Sequence, residues 1–77
     1  MKKTENEVLS EKMLCAEYEA VYRYTLALCK NETLAEDITQ DTFLKAMRAY
    51  DKFKGESSLY TWLCSIAKRE FLNKVRR

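Results

Sequence analysis

Seventy-seven residues with a net charge of +2, one Gly, no Pro, no His and 47% hydrophobic side chains favour a few long helices over a sheet. No run of 18 apolar residues occurs and the N-terminus MKKTENEVLSEK has no apolar signal-peptide core, which argues against a spanning segment and a secretory leader and places the expected site of action in the cytoplasm. Cys15, Cys29 and Cys64 are odd in number and form no CxxC pair, so small core thiols in a reducing compartment are expected rather than a disulfide framework or a zinc site.

A domain this small buries roughly three-fifths of its unfolded surface, a size also suited to a piece of a longer protein. Residues 1–9 are polar and read as a flexible N-terminus, although Thr4 with Glu7 can form a capping box for an early helical turn. The helical domain is expected over residues 10–77. From Ser10, the positions Leu14, Tyr18, Val21, Tyr22, Thr25, Leu28 and Cys29 recur at three- and four-residue spacing, which predicts a first helix ending near Lys30 and Asn31.

Thr33 followed by Glu36 fits a helix N-cap with its reciprocal partner, and Glu36 and Asp37 suit the positive end of a helix dipole. A second helix is therefore predicted from Leu34 to Tyr50. With Leu34 at zero and about 100° per residue, Leu34, Ala35, Ile38, Thr42, Phe43, Ala46 and Tyr50 fill an apolar arc of about 180°. Leu44 falls outside it, at about 280°, among Asp37, Gln40, Asp41 and Arg48, with Met47 on one flank. Neither Gln40 nor Asp41 has a predicted internal partner. An exposed Leu and Met in a polar surround fit the centre of a protein interface, and they equally fit scattered surface residues.

Asp51 to Ser58 holds the only Gly and a hydroxyl pair suited to capping, so it reads as a loop into a third helix. On that helix Leu63, Cys64, Ile66, Ala67, Phe71, Val75 and Tyr60 share the buried arc, from about −20° to about 160° with Leu59 at zero. The opposite strip holds Thr61, Ser65, Lys68, Arg69, Leu72 and Arg76, with Trp62 at its edge. Cations and hydroxyls suit phosphate oxygens, and aromatic or guanidinium planes suit unstacked bases. The strip also reads as the solvated face of a core helix, and periodicity does not choose. Charge is uneven, with 7 basic and 10 acidic side chains over residues 1–51 but 7 basic and 2 acidic over residues 52–77. That asymmetry suits a protein partner at one end and a polyanion at the other.

The blocks Ala35-Glu36-Asp37-Ile38-Thr39-Gln40-Asp41-Thr42-Phe43-Leu44, Phe53-Lys54-Gly55-Glu56-Ser57-Ser58, Thr61-Trp62-Leu63 with Ile66-Ala67, and Arg76-Arg77 occur in that order. Over residues 16–77 they resemble domain two of bacterial RNA polymerase sigma factors, of the extracytoplasmic-function (ECF) group. Composition and spacing give an all-α, three-helix domain, and the resemblance implies a compact helical unit that docks on the β′ clamp helices of core RNA polymerase and recognises and melts the minus-ten promoter element through its non-template strand. Asp37, Gln40, Asp41, Leu44, Met47 and Arg48 would then face the polymerase. The loop from Lys52 to Ser58 resembles the family's specificity loop, where an extruded base is held. Phe53, Lys54, Ser57, Ser58, Thr61, Trp62, Ser65, Lys68, Arg69, Arg76 and Arg77 would face DNA, with core packing as the other reading of Phe53 and Trp62.

Two departures stand out. Arg69 occupies a place where the family commonly has Asn, and Asn73 one where it commonly has Asp, which bears on base preference because Arg offers donors only. The family's second helical domain, which reads the minus-thirty-five element, lies beyond the point where the chain stops, as expected of an excised domain or a truncated member. An anti-sigma factor is a common partner in the ECF group. No cofactor, metal site, enzymatic activity or membrane insertion is expected, since no nucleophile–base pair, ligand cluster or Gly-rich phosphate loop is present. A non-specific helical nucleic-acid binder and a protein-interaction bundle are the alternatives.

Overall fold

The computed structural model describes the backbone of residues 5–76 and the side chains of residues 11–76. Four helices follow one another: α1 (Glu5–Ala16), α2 (Tyr18–Cys29), α3 (Glu32–Ala49) and α4 (Leu59–Val75), with a 3₁₀ turn, Tyr50–Lys52, extending α3. The expected all-α architecture holds, with four helices in place of three. The first predicted helix is divided at Glu17, whose amide bonds the Leu14 carbonyl three residues back at 3.0 Å. Tightening the turn there redirects the chain without Gly or Pro. Leu14 and Val21, on either side of the bend, are both fully buried.

α1 begins at Glu5, inside the stretch expected to be a flexible N-terminus, while Thr4 of the expected capping box lies outside the described residues. The cap of α3 also differs from expectation. Lys30 turns left-handed, with φ of 54°, and its amide bonds the Leu26 carbonyl at 2.7 Å, which ends α2. Asn31 then lies extended, and its side-chain oxygen accepts from the Leu34 amide at 2.9 Å. Asn is among the strongest caps, and it stands two residues before Thr33, leaving Thr33 inside the first turn. Ser58 caps α4 by accepting from the Thr61 amide at 3.1 Å.

α2, α3 and α4 pack on one another around Val21, Ile38, Phe43, Ala46, Leu63, Cys64 and Ala67, with Leu14 of α1 completing the core. Thr25, Thr39 and Thr42 are fully buried among them. Each hydroxyl donates to the carbonyl four residues earlier, on Val21, Ala35 and Ile38, at 2.9, 2.7 and 2.7 Å. A Thr so bonded presents only its methyl to the core, so the polar group is buried without an orphaned proton.

Two residues of the predicted α4 stripe, Tyr60 and Val75, are exposed instead. They sit at the two ends of the helix, where the stripe outruns the helices that cover it. All three cysteines are free, but only Cys64 belongs to the core, for Cys15 is exposed and Cys29 half-buried. Burial pushes the Cys64 thiol up, against a smaller opposing effect of its hydrogen bond with Tyr60.

Candidate docking and nucleic-acid faces

The outer ridge of α3 is built on a helix whose other side is locked into the core by Ala35, Ile38, Thr42, Phe43 and Ala46. Leu44 is 55% exposed and Met47 43%. Asp37, Gln40 and Arg48 stand exposed around them and Asp41 is half-buried, so the structure brings the six residues expected on this face onto one surface. Asp41, expected to lack an internal partner, has one. Lys74, in the last turn of α4, reaches across with its ammonium 3.0 Å from an Asp37 oxygen and 3.2 Å from an Asp41 oxygen. Hydrogen bonding to Asp37 first, and then to Asp41, raises the Lys74 pKa above its ordinary value.

One turn earlier along the same seam, Lys45 pairs with Glu70 at 2.5 Å. Glu70 is a buried carboxylate, only 7% exposed. The sequence carried a signal for both links. By the same helical count, Lys45 falls at about 20° on α3, and Glu70 and Lys74 at about 20° and about 60° on α4, all inside the apolar arcs. Charges on the buried side of a helix need partners, and here they find each other.

The ridge continues toward α2. Tyr18, Tyr22, Glu36 and Gln40 line an open depression of about 360 Å³, and Gln40 and Asp37 also border one of about 570 Å³ at the start of α3. Desolvation first, and then the nearby Glu32 and Glu36 carboxylates, push the Tyr22 hydroxyl up. Periodicity placed both tyrosines on a buried face. Tyr18 is instead 37% exposed, packing its ring on Phe43 with centroids 4.9 Å apart.

The second face comprises the 53–58 loop and the outer strip of α4. Phe53 and Trp62 are half-buried and pack together, with centroids 5.1 Å apart, and Tyr50 joins them at 6.2 Å from Phe53 and 6.5 Å from Trp62. Phe53 and Trp62 also line a depression of about 220 Å³ with Lys52, Lys54, Glu56 and Ser57. Each ring thus packs inward and also lines an open depression. Gly55 supplies the loop's left-handed residue, with φ of 72°.

Along α4, Ser65, Lys68, Arg69, Leu72, Asn73 and Arg76 line an open depression of about 480 Å³. Lys68, Arg69 and Arg76 have no carboxylate partner among the described residues. The hydroxyls are less available than the strip implied. Ser65 donates to the Trp62 carbonyl at 2.6 Å, and Ser58 donates to the Thr61 hydroxyl at 2.9 Å while capping the helix. Thr61 accepts in that bond, so its own proton remains to be given. Arg77 lies outside the described residues. No cluster of ligating side chains fit for a metal ion occurs among the described residues, and no described helix is long and apolar enough to cross a membrane.

Comparison with known proteins bears on these faces. Residues 15–77 match the family model of sigma-70 region 2. The chain is 38% identical over 60 residues to the RNA polymerase sigma factor YlaC of Bacillus subtilis (strain 168), covering 78% of this chain and 35% of that protein. It is 37% identical over 60 residues to the ECF RNA polymerase sigma factor SigM of the same organism, covering 74% of this chain and 34% of that protein. It is 55% identical over 31 residues to the ECF RNA polymerase sigma-E factor of Escherichia coli (strain K12), covering 40% and 16%. The chain thus spans about a third of the length of the first two relatives. No solved structure gives a significant match.

Proposed function

Because the chain belongs to the sigma-70 region 2 family, in the ECF group of RNA polymerase sigma factors, we propose that it binds core RNA polymerase and recognises and opens the minus-ten promoter element during transcription initiation. It acts by binding alone, as a non-enzymatic initiation factor working in the cytoplasm where the polymerase is. The observation that carries the reading is the pairing of two unlike faces on one rigid unit. α3 presents Leu44 in a polar surround. Beside it, α4 and the 53–58 loop present aromatic rings and cations that no described carboxylate engages.

The α3 face suits a helix of the β′ clamp, with Leu44 as the apolar anchor and Asp37, Gln40, Asp41, Met47 and Arg48 around it. An anchor excluded from water by a polar rim is the usual layout of a tight, small contact. The α4 face suits the non-template strand. Lys68, Arg69 and Arg76 would contact phosphates, and Phe53 with Trp62 would receive an extruded base. Their rings are too closely packed to admit a third between them. The base would therefore lie in the depression on their outer side, against Lys52, Lys54 and Ser57. Extrusion costs a few kcal/mol, which stacking and backbone contacts must offset as the duplex breathes.

The test is to mix the chain with core polymerase and then with a minus-ten promoter fragment. A specific complex in which the promoter becomes reactive to single-strand probes is expected. Binding to any duplex without polymerase would point to a non-specific nucleic-acid binder, and a polymerase complex that never opens DNA to a protein-interaction bundle.

A further inference from the structure

Lys74 sits on the buried side of α4, away from the DNA-facing strip, and its side chain is only 29% exposed. Among the described residues it is the single cation between two carboxylates, Asp37 and Asp41, that stand one turn apart on the outer ridge of α3. Carboxylates four residues apart on a helix repel one another and, without a counter-ion, turn apart toward water. The Lys45–Glu70 pair one turn away joins the same two helices, and the Lys74 side chain lies mostly out of solvent between them. From this we infer that Lys74 is a positioning residue of the polymerase-docking face. It clamps Asp37 and Asp41 beside Leu44 in the orientation that a partner helix meets. It thereby ties the docking ridge of α3 to the last turn of α4, next to Arg76 at its C-terminal cap. Lys74 touches neither partner in this arrangement and acts through the two carboxylates.

The inference rests on the polymerase-docking reading, and the experiment separates the two. The full chain and its Lys74→Met variant are titrated against core polymerase at two salt concentrations, with melting temperatures measured in parallel. Lys74→Met keeps the aliphatic stem, so the melting temperature is expected within about 5 °C of wild type. The affinity is expected to fall about threefold to tenfold. Lys74→Arg, which can still bridge two carboxylates, should restore most of it. In an Asp37→Asn, Asp41→Asn background the Lys74→Met change should have no further effect, because there is nothing left to clamp.

An unchanged affinity for Lys74→Met overturns the inference, as does an equal loss in the Asn background, which would mean that Lys74 acts elsewhere. A melting temperature that falls sharply along with affinity also overturns it, since Lys74 would then only hold the fold. If the wild-type chain itself fails to bind core polymerase, the docking reading falls, and this inference with it.

Discussion

Phe53 packs inward and at the same time borders an open depression. Its ring lies 5.1 Å from Trp62 and 6.2 Å from Tyr50, yet it also lines the open depression beside Lys52 and Lys54. A fully buried Phe truncated to Ala costs about 3–5 kcal/mol, and a half-buried ring costs a fraction of that. Phe53→Ala should therefore lower unfolding free energy by about 1–2 kcal/mol, readable from a urea titration. Promoter opening should fall by a further amount, on the order of 1–3 kcal/mol for a lost stacking contact, while core-polymerase affinity stays at the wild-type level. A stability loss of Phe53→Ala with no loss of opening would assign the ring to packing alone. Sequence periodicity could not make this distinction, because a ring that packs inward and faces outward satisfies both patterns. The hydroxyls of Ser58 and Ser65 escaped it for a related reason. A Ser on an outer strip looks available until the Trp62 carbonyl and the Thr61 hydroxyl are seen to take its proton.

Among the elements, the seam between α3 and α4 holds charges where the helical wheel places apolar residues. Glu70 is buried, and Lys45 is its only counter-ion among the described residues, at 2.5 Å. Removing the exposed cation leaves a carboxylate stranded in low-dielectric surroundings, whereas neutralising the carboxylate leaves an amide that can still accept. Lys45→Met is therefore expected to destabilise by about 1–3 kcal/mol, more than Glu70→Gln, in thermal or denaturant unfolding. Equal losses would indicate that the pair contributes only side-chain packing.

Lys74 gives the seam a pH signature. Its pKa is raised by Asp37 and Asp41, so its contribution is fully present below the ordinary value of 10.5 and fades as pH rises through the raised one. The difference in melting temperature between wild type and Lys74→Met should close over that alkaline range and be constant from neutral pH up to it. The helices themselves were legible because apolar residues recur at the helical period, and no Pro or Gly interrupts them before the 53–58 loop. Three boundaries were not, the first being the start of α1 at Glu5, inside the stretch that reads as a flexible N-terminus. The bend at Glu17 has no sequence marker, being set by Leu14 and Val21 entering the same core. The α3 cap was expected at Thr33 from its spacing to Glu36, but the left-handed turn at Lys30 ends α2 and leaves Asn31, a strong capping residue, to take that place.

At the scale of the whole molecule, the two faces share one frame. α3 and α4 are joined by the core and by the ion pairs at Lys45 and Lys74, so a partner seated on α3 fixes where the strip of Lys68, Arg69 and Arg76 points. The residue that tests this frame is Leu44. It lies about 100° beyond the apolar arc of α3 and is 55% exposed, so more than half of its surface stays in water on folding. In a complex with a polymerase helix it would be the desolvated centre, and truncating such an anchor costs on the order of 2 kcal/mol. Leu44→Ala should therefore keep helix content and melting temperature near wild type while weakening core-polymerase binding roughly tenfold or more. The loss should reside mainly in a faster dissociation rate, as for most interface truncations. A Leu44→Ala chain that melts much earlier would place Leu44 in the fold, and one that binds polymerase normally would remove this ridge from the interface.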